Sequence, residues 1–331
     1  MIESIRIQDF KGHRDTTVRL GRLTVLVGPN GSGKTSVLEA LQLHRELSRI
    51  APSVVPEVKT FSDWIRRGNN ECAIFSSEGD NDLGAWRAKT TIRKQEHVVI
   101  EMTIGEGSGR MVWDYGAWAK ESVQIPFPDK WQEFRRTLTY KFSGWQIAQM
   151  ASFPQPNAEM TFNGSNTAAV LAGMKLEHDE AFAKIEESLR LIVPSVDRIR
   201  IQQATQENNN RTISGVKIYF DFRGAAGVPA HCASEGTLIT LALLTVLHGP
   251  NRPNLILLDD FDQSLHPQAQ MELVTLIKRL LDEFPDVQIV ATTHSPYILD
   301  QLDPTNVHAF ALRDDGTVAT RPLSEHPEAA R

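Results

Sequence analysis

The chain has 331 residues, a formal net charge of −6 and 41% hydrophobic residues, which describes an ordinary soluble globular protein of one large or two modest domains. No apolar run approaches the ~20 residues of a bilayer crossing and the N-terminus lacks a signal-peptide layout, so no membrane association is expected. Cys72 and Cys232 lie far apart without metal-ligand spacing and read as reduced structural residues, which predicts a cytoplasmic protein.

Taken in chain order, Ile2 to Gln8, Thr16 to Leu20 and Leu23 to Val27 read as strands, the last two joined by a tight hairpin at Gly21-Arg22. A helix is expected from Lys34 to Ile50. Pro52 and Pro56 then interrupt the chain before a short amphipathic piece at Phe61 to Arg66. Cys72 to Ser76, Ala85 to Arg93, Val98 to Ile104 and Arg110 to Asp114 alternate in polarity and predict an antiparallel meander. Trp131 to Phe142, Thr167 to Met174 and His178 to Ile192 carry helical periodicity. Strands resume at Val196 to Gln202 and Gly215 to Phe222, with the Asn-rich stretch Gln206 to Arg211 read as a mobile loop. From Ser234 onward helices alternate with strands, which predicts a parallel sheet covered by helices. The tail from Glu325 is expected to fray. No sustained heptads predict a coiled-coil arm.

The densest chemical signal is Gly28-Pro-Asn-Gly-Ser-Gly-Lys34-Thr35, directly after the apolar run Leu23 to Val27. A strand, a glycine-rich loop and a helix in that order form a phosphate cradle. Successive N–H groups turn inward on the β- and γ-phosphates, Lys34 reaches the same oxygens, and Thr35 is placed to ligate Mg²⁺. A second strand, Leu255 to Leu258, delivers Asp259 and Asp260 at its C-terminal edge, where ligands sit in open α/β sheets. Asp259 is expected to hold the metal and Asp260 to orient or deprotonate water. A third strand runs into His294, placed to hydrogen-bond the γ-phosphate. Ser234, a plausible N-cap, and Gly236 head an apolar helix and could meet a phosphate at its N-terminus.

The acidic balance weighs against a protein that coats DNA, although a local basic groove remains open. Arg66-Arg67, Arg87 to Lys94, Arg135-Arg136 and Arg198/Arg200 are the candidates, against the plainer reading of solvated faces.

In this order and spacing the motifs resemble the ABC-type ATPase heads of the RecF/SMC type, closest to compact ATPases grouped with RecF-like and OLD-like proteins. Ile5 to His13 is similar to that family's opening strand and basic phosphate contact. Gly28 to Thr35 matches its Walker A, Leu255 to Asp260 its Walker B, Gln263 to Pro267 its D-loop and His294 its switch histidine. Ser234 to Leu238 resembles a degenerate signature, and Phe162 to Leu171 a landmark of the helical lobe. The resemblance implies an α/β P-loop NTPase fold: a mixed or parallel core sheet, an antiparallel meander and a helical lobe. One cassette would span 1–331, with lobe I at about 1–117, a helical region at about 118–195 and lobe II at about 196–324. The ATP contacts carried over are Lys11, Asn30, Gly31, Ser32, Gly33, Lys34, Thr35 and Ser36. Lys34, Asp260 and His294 are the catalytic set, and Thr35 and Asp259 the Mg²⁺ ligands.

It implies further that two ATP molecules are sandwiched between two heads, Ser234 and Gly236 reaching the partner's nucleotide. The partner is a second copy or a related head. A separate protein effector or DNA would join it in repair or in defence against phage and plasmids. Two departures stand out: Asp260 replaces the usual Glu, and the signature lacks its second glycine. The Q-loop glutamine stays open among Gln146, Gln149 and Gln124. The stretch after His294 is too short for the nuclease domain of OLD-type relatives, so an ATPase head alone is expected. A nucleotide-dependent scaffold with negligible turnover is the alternative, with a transporter cassette behind it.

Overall fold

The computed structural model describes residues 1–47, 65, 72–81, 84–93, 97–104, 107–114, 117–123, 137–155, 158–208, 211–263 and 265–326. The expected piece at Phe61 to Arg66 lies outside these residues except for Ile65, which bridges to Phe10. The chain opens with a hairpin of β1 (Ile2–Phe10) and β2 (His13–Arg19), turning at Lys11-Gly12 with Lys11 at φ 49°. The hairpin expected at Gly21-Arg22 does not form, because β3 (Leu23–Val27) leaves this sheet for another. Burial explains the parting. β2 alternates buried and exposed residues, as a strand with one wet face does, whereas β3 is buried along nearly its whole length and belongs inside a parallel sheet.

The first sheet is antiparallel and continues into the meander: β4 (Cys72–Asn81), β5 (Gly84–Arg93), β6 (His97–Ile104), β7 (Gly107–Asp114) and β8 (Ala117–Val123), in the order β2-β1-β4-β5-β6-β7-β8. The core sheet contains β9 (Thr137–Tyr140), β13 (Leu255–Leu258), β14 (Gln288–Thr293), β15 (Val307–Leu312) and β16 (Val318–Pro322). Its order is β16-β15-β3-β14-β13-β9, parallel except for β16. The helix expected over Trp131 to Phe142 is therefore corrected. Residues 137–140 form an edge strand paired with β13 in the register Leu258↔Tyr140, and residues 131–136 lie outside the described set. Thr-Leu-Thr-Tyr is rich in strand formers, and four residues are too few for periodicity to separate the two states.

A third sheet joins β10 (Val196–Asn208), β11 (Arg211–Phe222) and β12 (Ala225–Pro229). The loop expected at Gln206 to Arg211 is corrected: residues 206–208 and 211 belong to the strands, with pairing out to Asn208↔Arg211, and residues 209–210 lie outside the described set.

Helix α1 (Lys34–Leu47) lies between the first sheet and the core sheet, touching β1 and β5 on one side and β9 and β14 on the other. Val37, Leu38 and Leu41 fill that layer together with Leu255, Leu257 and Val290. The alternate residues Ile256, Leu258, Ile289 and Ala291 face a second core under α3 (Thr167–Glu177), α4 (Asp179–Ile192), α5 (Glu235–His248) and α6 (Pro267–Glu283). Every residue of α5 from Thr237 to Leu247 is buried, as for a helix apolar on all sides. Each Leu or Ile buried there contributes about 1.5–3 kcal/mol, so the head of α5 is fixed to this core. Short helices α2 (Gly144–Ile147) and α7 (Pro296–Leu299) follow β9 and β14. Among the described residues no helix is long and apolar enough to cross a membrane.

Candidate nucleotide site

The parallel strands β3, β14, β13 and β9 end at one edge of the core sheet and carry into it residues 28–36, His294, the Asp259-Asp260 pair and Lys141. At the first of these ends the loop depends on glycine. Gly28 has φ 148°, and a Cβ there would stand 2.2 Å from the Phe310 carbonyl oxygen. Gly33 has φ 96°, with Val318 Cγ2 and His13 Nε2 at 2.6 and 3.0 Å from the same imaginary atom. Only glycine occupies both positions without displacing the neighbouring strand.

Lys34 is buried and its ammonium donates to the carbonyls of Gly28 and Pro29, each at 2.9 Å. Burial lowers its pKa, partly offset by the negative charges of Asp260, Asp259 and Asp262. Ser32 Oγ is buried without a hydrogen-bond partner, a donor facing no acceptor. Asn30, Gly31 and Thr35 are exposed at the mouth, and Ser36 is half-buried. Lys11 pairs with Glu39, which lies one helical turn beyond Thr35 on α1.

The acidic side is assembled from residues remote in sequence. Thr35 Oγ1 donates to Asp259 Oδ1 at 3.0 Å, and Thr292 Oγ1 donates to the same oxygen at 2.8 Å. Thr292 also accepts the Asp260 N–H at 2.8 Å. Asp260 itself lies in the left-handed region at φ 47°, a conformation Asp tolerates better than most side chains. His294 Nε2 stands 3.7 Å from Asp260 Oδ1, its side chain 40% exposed and thus open to a ligand. Lys141 Nζ donates to Asp260 Oδ2 at 2.7 Å and lies 3.5 Å from Asp259 Oδ2. Its pKa is raised, chiefly by the hydrogen bond to Asp260. Asp262 is buried, and its Oδ1 has no hydrogen-bond partner.

Behind the loop, His13 is fully buried. Its Nε2 meets the Gly33 carbonyl at 3.1 Å and its Nδ1 the Thr16 hydroxyl at 3.0 Å. Burial lowers its pKa to about 4, so it is neutral near pH 7, donating from Nε2 and accepting at Nδ1.

The head of α5 is a separate place. Ser234 Oγ accepts the Thr237 N–H at 3.2 Å as an N-cap, and a Cβ on Gly236 would lie 3.2 Å from Ala269 Cβ. Glu235 accepts the Gly144 N–H at 3.2 Å, tying this end to α2. Among the described residues no hydrogen bond or ion pair joins Ser234 or Gly236 to residues 28–36. The Q-loop candidates do not reach the acids either. Gln149 donates to the Trp145 carbonyl, Gln146 sits on α2, and Gln124 lies outside the described residues. Within the D-loop stretch His266 caps α6, while Ser264 is outside the described residues.

Sequence reasoning missed Lys141, because its strand read as helix, and Thr292, a fully buried threonine that looks like ordinary strand filling. Three residues of the basic stretches are paired. Arg87 faces Glu78 at 3.5 Å, Lys89 faces Glu101 at 3.6 Å and Arg200 faces Asp221 at 2.6 Å, as solvated faces would be. Arg66, Arg67, Lys94, Arg135 and Arg136 lie outside the described residues.

Among the described residues no three His, Cys, Asp or Glu side chains are grouped to hold a metal by themselves. Thr35 Oγ1 and Asp259 are hard oxygen donors of the kind Mg²⁺ takes when substrate phosphates complete its shell. The unpartnered Ser32 hydroxyl fits an incoming phosphate oxygen. The residues present therefore suit a magnesium–nucleotide.

A family model described as "AAA domain, putative AbiEii toxin, Type IV TA system" matches residues 23–300. Septu protein PtuA of Bacillus thuringiensis is 23% identical over 338 residues, covering 98% of this chain and 79% of that protein. Retron Ec83 probable ATPase of Escherichia coli is 25% identical over 127 residues, 37% of this chain and 22% of the relative. The chain thus spans most of the first relative but about a fifth of the second. The solved SmcHead bound to the C-winged helix domain of ScpA superposes with a TM-score of 0.59 over 98% of both chains at 15% identity, a likeness of fold. The chain belongs to this AAA-domain family, and its fold is that of the ABC-type, SMC-like ATPase head.

Proposed function

We propose that the chain binds ATP at the shared edge of β3, β13 and β14 and hydrolyses it. Lys34 would leave the Gly28 and Pro29 carbonyls for the β- and γ-phosphates, which the N–H groups of residues 30–36 and the Ser32 hydroxyl surround. Lys11, beside α1, would contribute a further positive charge. Asp260 would orient the attacking water and take its proton, with His294 hydrogen-bonded to the γ-phosphate. Thr35 and Asp259 would hold Mg²⁺, which supplies charge neutralisation at the transferred phosphoryl group. The observation that carries this reading is the Thr35–Asp259 hydrogen bond at 3.0 Å. It joins two motifs 224 residues apart at the point where a metal–triphosphate would sit.

Among the described residues the head of α5 makes no hydrogen bond or ion pair to its own phosphate loop. This supports a dimer, with a second copy or a related head, in which Ser234 and Gly236 reach the partner's nucleotide. The whole of 1–331 then acts as one ATP-closed switch, coupled to a protein effector or DNA in defence or repair. The family description and the Septu and retron ATPase relatives favour defence. Phosphate release from wild type and Lys34→Ala tests the enzyme reading, with turnover expected to fall by about two orders of magnitude or more. Equal rates in the two proteins overturn it. Asp260→Asn is expected to trap a dimer with ATP, seen by light scattering. A monomer with and without ATP counts against the sandwich.

A second reading, a nucleotide-dependent scaffold with negligible turnover, is favoured by one feature: Asp260 is engaged by Lys141 at 2.7 Å rather than free to take a proton. Measurable phosphate release, with or without double-stranded DNA, removes it.

A further inference from the structure

Lys141 immediately follows β9, and the register Leu258↔Tyr140 sets it beside the Asp259-Asp260 pair. The Asp259 N–H also donates to the Tyr140 carbonyl at 2.9 Å, so the backbone itself locks the two strand ends together. Asp259 spends Oδ1 on the Thr35 and Thr292 hydroxyls, and its other oxygen faces the Lys141 ammonium at 3.5 Å. The phosphate-loop lysine takes no part in this pairing, since Lys34 donates to the Gly28 and Pro29 carbonyls. Two lysines thus lie within the field of the same two carboxylates, and the one paired with both comes from outside the phosphate loop.

A divalent cation on Asp259 would meet an ammonium a few ångströms away. Like charges that close in a half-buried site repel strongly, so Lys141 must move as the metal–nucleotide arrives. The nearest new anion is the terminal phosphate, because Asp260 and His294 both face the place where it would lie. We propose that Lys141 is the residue through which this site distinguishes ATP from ADP. Its ammonium pairs with Asp259 and Asp260, and with ATP bound it transfers to the γ-phosphate oxygens.

The assignment rests on the ATP-site reading above, and the test separates the two. Equilibrium binding of a non-hydrolysable ATP analogue and of ADP is measured for wild type, Lys34→Ala, Lys141→Gln and Lys141→Arg over a Mg²⁺ series. Loss of one charge-assisted contact predicts about a 10-fold weaker analogue affinity in Lys141→Gln, with ADP affinity unchanged or tighter. The Mg²⁺ concentration at half-saturation with ADP falls in the same variant, because no ammonium competes for the carboxylates. Lys141→Arg keeps the charge and retains the analogue-to-ADP preference. Equal weakening for both nucleotides, or an unchanged ratio and unchanged Mg²⁺ midpoint in Lys141→Gln, overturns the assignment. If wild type binds neither nucleotide, the site reading falls and takes this inference with it. If Lys34→Ala abolishes binding while Lys141→Gln matches wild type, only the role of Lys141 is refuted.

Discussion

The phosphate-loop edge and the head of α5 both present polar groups at the end of a buried element, yet they are built differently. At the loop edge the bonds cross the molecule: Thr35 meets Asp259, Thr292 meets both acids, His13 meets Gly33, and Lys141 meets Asp260. At the head of α5 the bonds stay local, Ser234 to Thr237, with the one tie from Glu235 reaching α2. The first region is held in shape by tertiary contacts. The second is an ordinary capped helix whose exposed serine, among the described residues, bonds only within its own first turn. That difference is what the proposed two-head site requires, with the first region as its rigid half and the second presented to a partner.

The largest expected effect comes from breaking the rigid half at Gly28. An alanine Cβ would lie 2.2 Å from the Phe310 carbonyl oxygen at φ 148°, so β15 or the loop must shift. Gly28→Ala is expected to cost about 3 kcal/mol or more, measured by thermal or denaturant unfolding. Gly31→Ala is the control: its φ is 76° but nothing lies within 4 Å, which predicts about 1 kcal/mol. Equal losses at both positions would show that the strand carrying Phe310 yields and that the loop is not pinned from behind.

His13 sharpens the same contrast through pH. Its folded pKa is about 4 against a free value of 6.5, so between these values the unfolded chain binds the extra proton. Stability from this group is complete above pH 6.5 and declines as pH falls toward 4, by up to about 3 kcal/mol. Burial lowers His248 and His308 as well, and both add to the decline in the acid range. Glutamine can donate to Gly33 and accept from Thr16 without titrating. Unfolding curves of His13→Gln should therefore flatten over pH 4–6.5 relative to wild type, and identical slopes would contradict the assigned burial of a neutral imidazole.

How much of this was legible in the sequence follows the same division. Gly28 to Thr35 and Asp259-Asp260 could be read because glycine spacing and paired acids at strand ends constrain the backbone locally. The partnership of β3 with β14 and β15, rather than with β2, was misread because adjacency in sequence suggested a hairpin. Only the burial of Leu23 to Val27 on both faces argues otherwise. Lys141 was invisible for a related reason: β9 is four residues long and becomes a strand through its pairing with β13, a contact that no local pattern encodes. Thr292 acts through a single hydroxyl and His13 through its two ring nitrogens, and composition gives no hint of which buried polar residue is so placed.

The smallest stability effect, and the sharpest test of the two-region view, belongs to Ser234. Removing the cap in Ser234→Ala should cost about 1 kcal/mol, because the Thr237 N–H loses its acceptor. That loss leaves the phosphate loop of the same chain untouched, so nucleotide binding by isolated heads should match wild type while turnover falls. Mixing then separates the two regions. A Lys34→Ala head has an intact α5 end and no working loop, and a Ser234→Ala head has the reverse. If the α5 end serves the partner's nucleotide, the two inactive proteins recover turnover together, because one composite site in the mixed pair is whole. If Ser234 acts on its own chain's nucleotide, every site in the mixture still carries one lesion and the rate stays at the sum of the separate proteins.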